Sequence, residues 1–145
     1  YIIMNLGTFA CLYLLKTDGS YTEKIEDLSG LSKDKPLLAF SFLILFFSLA
    51  GIPPLGGFFA KFFIFMSVIE NELYALAIIG LLTTVISAFY YLKVIKIIYF
   101  DDEKIKFDDV RNISIKATIL ISCLILSLYF ISPSIINSLL DGLFI

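Results

Sequence analysis

The chain has 145 residues, 59% of them hydrophobic, with a mean hydropathy of +0.96, well above the roughly 45–50% apolar content of a soluble domain. A formal net charge of −2 leaves no basic surface for nucleic acid, there is no histidine, and the two cysteines, Cys11 and Cys123, sit inside apolar runs as small core residues. These features argue against a metal site, a disulfide framework or a nucleic-acid partner. They describe an all-α fold, a polytopic membrane helical bundle.

Residues 1–15 form the first apolar run. The run has no initiator Met, charged leader or small-residue cleavage site, so it does not read as a signal peptide. We expect a membrane helix truncated at its start, and hence a fragment. Asn5 and Thr8 on it are expected to serve helix packing.

Residues 16–35, KTDGSYTEKIEDLSGLSKDK, are polar. Ser20 and Glu23 have the spacing of a capping box, and Ile25, Leu28 and Leu31 recur at helix-like intervals. The pattern predicts a short amphipathic helix at the membrane surface. The plainer reading is a solvated connector.

Residues 36–69 form a 34-residue apolar run in which Lys61 is the one ionisable side chain. The run is interrupted by Gly51, Pro53, Pro54, Gly56 and Gly57. The prolines remove two backbone donors, and Pro54 pushes Pro53 out of helical geometry. The glycines permit conformations that other residues avoid. The flanking halves, 36–50 and 57–69, have 15 and 13 residues. At 1.5 Å per residue each reaches only about 20 Å, against a hydrocarbon core of about 30 Å. One broken span therefore fits better than two. Free carbonyls and N–H groups at such a break cost several kcal/mol each in lipid, so the break must face protein or a polar cavity.

Lys61 lies about one turn into the second half, flanked by Phe58, Phe59, Phe62 and Phe63. A helix N-terminus and an apolar surround both oppose an ammonium, the condition under which a lysine can exchange a proton. A lysine in mid-membrane is costly and usually functional. The alternative is a side chain that snorkels to the interface.

Residues 73–92 carry 20 uncharged positions, in a helix predicted over 73–100. Thr83, Thr84, Ser87, Tyr90 and Tyr91 lie on it. Thr84, Ser87 and Tyr91, at i, i+3 and i+7, share a face. With Ser48 they are candidates to line a water chain beside Lys61; small polar residues at a helix–helix contact are the blander explanation. Residues 101–112, DDEKIKFDDVRN, read as a charged loop. A last helix is predicted over 113–132, ended or kinked by Pro133, with a tail beyond.

Ten of the eleven basic residues fall in or beside the connectors 16–35 and 101–112; the Glu-Asn-Glu turn at 70–72 and the tail hold none. Alternating helices put both basic connectors on one face. The positive-inside rule makes it the cytoplasmic face, or the matrix face in an organelle.

The stretches YIIMNLGTFACLYLL, KIEDLSGLSKDKPLLAF, SLAGIPPLGGFFAKFFIF and AFYYLKVIKIIYF together resemble the C-terminal part of the antiporter-like membrane subunits of NADH–quinone oxidoreductase, respiratory complex I, and most closely the subunit N group. The wider family includes Mrp-type cation/proton antiporters. The resemblance implies a 14-helix antiporter-like fold with two inverted repeats of five, of which this chain supplies most of the eleventh helix and the three that follow. It implies that the broken helix is the family's discontinuous one and that Lys61 is its proton-relay lysine. It implies a proton-translocating subunit coupled to quinone reduction, with other membrane subunits of complex I, the lipid bilayer and protons as partners. It implies no cofactor in this chain: NADH, FMN, iron–sulfur clusters and quinone belong to other subunits. The location implied is the bacterial inner membrane, with the mitochondrial inner membrane as the alternative. A stand-alone Mrp-type antiporter subunit and a structural membrane module are the competing readings.

Overall fold

The computed structural model describes residues 1–21 and 24–131. Each long apolar run forms a helix: α1 (Ile2–Tyr13), α3 (Pro36–Ala50), α4 (Gly56–Glu70), α5 (Tyr74–Phe100) and α6 (Ile113–Ile131). A four-residue helix, α2 (Leu31–Asp34), precedes α3. Pro36 stands in the first turn of α3, where its missing N–H has no intrahelical partner to lose. Pro133 and the C-terminal tail lie outside the described residues.

Helix α3 is the hub. Ala39, Phe42 and Leu45 are completely buried, and Leu38 and Leu49 nearly so. They pack with Met4 and Cys11 of α1, Val94 and Ile98 of α5, and Ile119, Cys123 and Leu126 of α6. Truncating Phe42 to alanine would cost about 3–5 kcal/mol. Gly7 lets α1 approach closely: a Cβ there would lie 2.7 Å from Leu45 Cδ2 and 2.9 Å from Ser122 Cβ.

Helices α3 and α4 follow one another along a single neighbour, α5. Ile64, Phe65 and Val68 of α4 share a cleft with Leu76 and Gly80 near the start of α5. Lys61 and Leu49 face Thr84, Ser87 and Tyr91 in its middle. Phe46 of α3 stacks on Tyr91 at 5.6 Å, and the Gly30 amide donates to the Ile97 carbonyl, 3.2 Å away, near its end. At 27 residues α5 is about 40 Å long. Among the described residues it is the helix long and apolar enough to cross a membrane by length and composition; α1, α3 and α6 are shorter apolar helices.

The connector 16–35 corrects the sequence reading. It is not one amphipathic helix. It begins as a two-stranded antiparallel hairpin, β1 (Lys16–Thr17) with β2 (Ser20–Tyr21), in which Thr17 pairs with Ser20. Asp18 and Gly19 turn the chain with φ of 51° and 77°, the left-handed pair a two-residue hairpin needs. Ser20 is thus a strand residue and caps no helix, and Glu23 lies outside the described residues. A single 3-10 turn, Ile25–Leu28, follows. Gly30, at φ 69°, separates it from α2. Leu28 and Leu31 are buried while Ile25 is exposed.

The loop 101–112 is bound to that connector rather than free in solvent. Phe107 is buried, its amide donates to the Asp34 carboxylate at 2.9 Å, and the Asp108 amide donates to the Lys16 carbonyl at 2.8 Å. Lys35 donates to the Asp108 carbonyl at 2.7 Å. The two basic connectors therefore occupy one end of the bundle.

Candidate functional site

The site is built by the interruption between α3 and α4. Helix α3 stops in a left-handed cap: Gly51 has φ 84°, its amide donates to the carbonyls of Phe47 (3.1 Å) and Ser48 (3.0 Å), and the Ile52 amide donates to Phe47 (3.0 Å). Glycine suits this position because it has no Cβ to clash in the left-handed region. The peptide bond between Pro53 and Pro54 is cis. Leu55 then starts α4 from an extended conformation.

The cap satisfies the carbonyls of Phe47 and Ser48 and leaves those of Leu49 and Ala50 to be filled. Lys61 fills both. Its Nζ donates to the Leu49 carbonyl at 2.8 Å and to the Ala50 carbonyl at 3.3 Å. The ammonium thus sits at the negative end of the α3 dipole, where unwound carbonyls in a membrane would otherwise call for water or a free cation. The stem of Lys61 runs across Gly51, with a Gly51 Cβ position only 3.0 Å from Cδ. No carboxylate pairs with Lys61 among the described residues. The side chain turns back into the break.

On its other side Lys61 borders a cavity of about 280 Å³, lined also by Tyr1, Leu49, Thr83, Thr84, Ser87 and Tyr91. Thr84, Ser87 and Tyr91 are thereby placed together beside the lysine. The Thr84 hydroxyl donates to the Gly80 carbonyl (2.9 Å) and that of Ser87 to the Thr83 carbonyl (2.9 Å), so each spends its proton within α5 and retains lone pairs. Water can donate to those lone pairs. Ser48 is a correction: it does not line this cavity. It is fully buried, donates to Met4 Sδ at 3.1 Å and accepts from the Gly57 amide at 3.0 Å. Thr8 donates to the Met4 carbonyl at 2.8 Å within α1.

The break glycines have separate duties. A Cβ on Gly57 would collide with the Ser48 carbonyl oxygen, whereas one on Gly56 would make an ordinary 3.4 Å contact with Leu126 Cδ2. Phe59, near the start of α4, packs on Tyr129 of α6 at 5.4 Å. The Lys61 acceptors were not readable from sequence. The signal that existed was the two helix-end carbonyls that any broken span leaves over.

The family described as the transmembrane part of NADH:quinone oxidoreductase and Mrp antiporters matches residues 1–87. The chain belongs to that family. It is a membrane protein of the antiporter-like all-α fold. Similar proteins include NADH-quinone oxidoreductase subunit N of Pelagibacter ubique, 59% identical over 134 residues, which takes in 92% of this chain and 28% of the relative. Subunit N of Rhodospirillum rubrum is 40% identical over 136 residues, 94% of this chain and 28% of the relative. A chain of respiratory complex I from Thermus thermophilus, solved with bound aureothin, superposes with a TM-score of 0.78 at 26% identity, over 94% of this chain and 31% of that one. The chain therefore spans little more than a quarter of the length of these curated relatives.

Proposed function

We propose that this chain is the C-terminal portion of subunit N of a proton-pumping NADH–quinone oxidoreductase of the bacterial inner membrane, and that Lys61 carries a proton within it. The observation behind this reading is the placement of one ammonium between two helix-end carbonyls and a hydroxyl-lined cavity, at a backbone break inside an apolar segment. Such a lysine has a fixed partner on one side and room for water on the other. It takes up or releases a proton through the cavity as charges on neighbouring segments move. Coupling to quinone reduction is electrostatic and conformational. Electron transfer through NADH, FMN, iron–sulfur clusters and quinone is assigned to other subunits, and the partners here are the adjoining membrane subunits and lipid.

A second reading has its own support: the bonds to Leu49 and Ala50 would also serve a purely structural lysine that closes the end of α3. Replacing Lys61 by alanine in the full-length subunit separates the two. A relay lysine leaves an assembled complex whose NADH-driven proton uptake in vesicles falls at least about tenfold, equivalent to roughly 1.4 kcal/mol on the barrier. A structural lysine leaves pumping in proportion to assembled complex. Co-purification with NADH-oxidising subunits distinguishes complex I from a stand-alone antiporter.

A further inference from the structure

Ser48 has no part in the relay described above, yet it is completely buried at the junction of three helices. Its hydroxyl donates to Met4 Sδ of α1 at 3.1 Å and accepts the amide of Gly57, in the first turn of α4, at 3.0 Å. Both capacities are thereby directed. With the proton turned to the thioether, the lone pairs face the Gly57 N–H, one of the orphan donors at a helix start. The backbone of Ser48 presses on the same residue, since its carbonyl oxygen occupies the space a Gly57 Cβ would need.

Gly57 and Lys61 are four residues apart and so share a face of α4. Leu49 and Ala50, which accept from Lys61, directly follow Ser48. The contact at Gly57 therefore fixes the register of α4 against the end of α3, and that register decides whether the ammonium meets its two carbonyls. We infer that Ser48 is a positioning residue, which holds α4 through the Gly57 amide so that Lys61 stays on the Leu49 and Ala50 carbonyls, with Met4 orienting the hydroxyl.

The inference rests on the relay reading of Lys61. The titratable groups facing Lys61 are Tyr1 and Tyr91 across the cavity; α3 offers it carbonyls, and on α6 Tyr129 packs at a tilt against Phe59. A serine that only filled space would, on removal, lower proton uptake equally at every pH. A serine that places the ammonium would move the pH dependence.

The test uses the full-length subunit in its assembled complex, with Ser48→Ala, Met4→Leu and Lys61→Ala compared at matched assembly. In Ser48→Ala, amides of the segment 52–60 should exchange with deuterium faster, because the Gly57 N–H loses its acceptor. The pH of half-maximal NADH-driven proton uptake should shift by about one unit, the scale of one charge-assisted hydrogen bond to the lysine. Met4→Leu should shift it in the same direction by less. An unchanged pH profile in Ser48→Ala overturns the inference. If that variant does not assemble, an unchanged profile in Met4→Leu overturns it instead. The Lys61→Ala arm reports on the relay separately: reduced pumping there with a normal Ser48→Ala profile rejects only the role of Ser48. Normal pumping in Lys61→Ala rejects the relay, and the positioning role with it.

Discussion

The Phe107 amide donates to the Asp34 carboxylate at 2.9 Å, joining residues 73 positions apart. Around this bond the two basic connectors form a latch, with Lys35 on the Asp108 carbonyl and the Gly19 amide on the Asp108 carboxylate at 3.0 Å. Asp34→Ala would leave the Phe107 amide, which sits beside a buried ring, without an acceptor, a loss of about 1–3 kcal/mol. Limited proteolysis in membranes should then cut within 101–112 sooner than in the parent. Lys33→Ala is the contrast: its partner Asp102 is fully exposed, and a solvated pair of this kind contributes little. Equal proteolysis of the Asp34 variant and the parent would remove the latch.

The latch also constrains topology. Because 16–35 and 101–112 meet, they lie on the same side of the bundle, and the turn after α4 lies at the opposite end of α5. Single cysteines at 70–72 should react with an impermeant thiol reagent from the periplasmic side, and cysteines at 104–106 from the cytoplasmic side only. Labelling of both sets from one side would contradict the arrangement of α5.

The break and its lysine were legible in sequence because they violate local expectation: two prolines, three glycines and one charge inside 34 apolar residues. The shared face of Thr84, Ser87 and Tyr91 was legible from helical spacing alone. The acceptors of Lys61 were not. They depend on the break bringing Gly57 against Ser48, a tertiary relation that no periodicity encodes. Met4 is equally silent, since its role comes from α1 packing on α3, 44 positions away. The hairpin at 16–21 failed for another reason. Asp18-Gly19 is a sound turn signal, but strands of two residues carry no alternation, and the Ser20/Glu23 spacing offered a longer helix in its place.

The two glycines at the start of α4 should behave differently. Gly57→Ala brings a Cβ into the Ser48 carbonyl oxygen, a backbone atom with little freedom to move, so the variant should lose at least the roughly 1–3 kcal/mol typical of overpacking. Gly56→Ala makes only ordinary contacts, with Leu126 at 3.4 Å and Tyr129 at 3.6 Å, and should be neutral or stabilising by up to about 1 kcal/mol through helix propensity. Thermal inactivation of the assembled complex measures both. Equal effects at the two positions would mean that α4 does not press on Ser48.

The order of Lys61 variants is the sharpest test of its chemistry. A glutamate is also a titratable group when buried, but the site does not suit it. In the site, an anionic carboxylate would face the Leu49 and Ala50 carbonyls, 2.8 and 3.3 Å from the present amine, with acceptor against acceptor at the negative end of α3. Lys61→Glu should therefore assemble poorly and pump least. Lys61→Arg retains the donors and the charge, but its guanidinium does not deprotonate in proteins, and its bulk must pass Gly51, where the lysine stem already lies close. A relay predicts that Lys61→Arg assembles better than Lys61→Ala, because the α3 carbonyls keep a donor, and yet translocates no faster. A structural lysine predicts that arginine restores assembly and pumping together. NADH-driven proton uptake per assembled complex, measured for the three variants in the same vesicles, decides between them: full uptake in the arginine variant ends the relay reading.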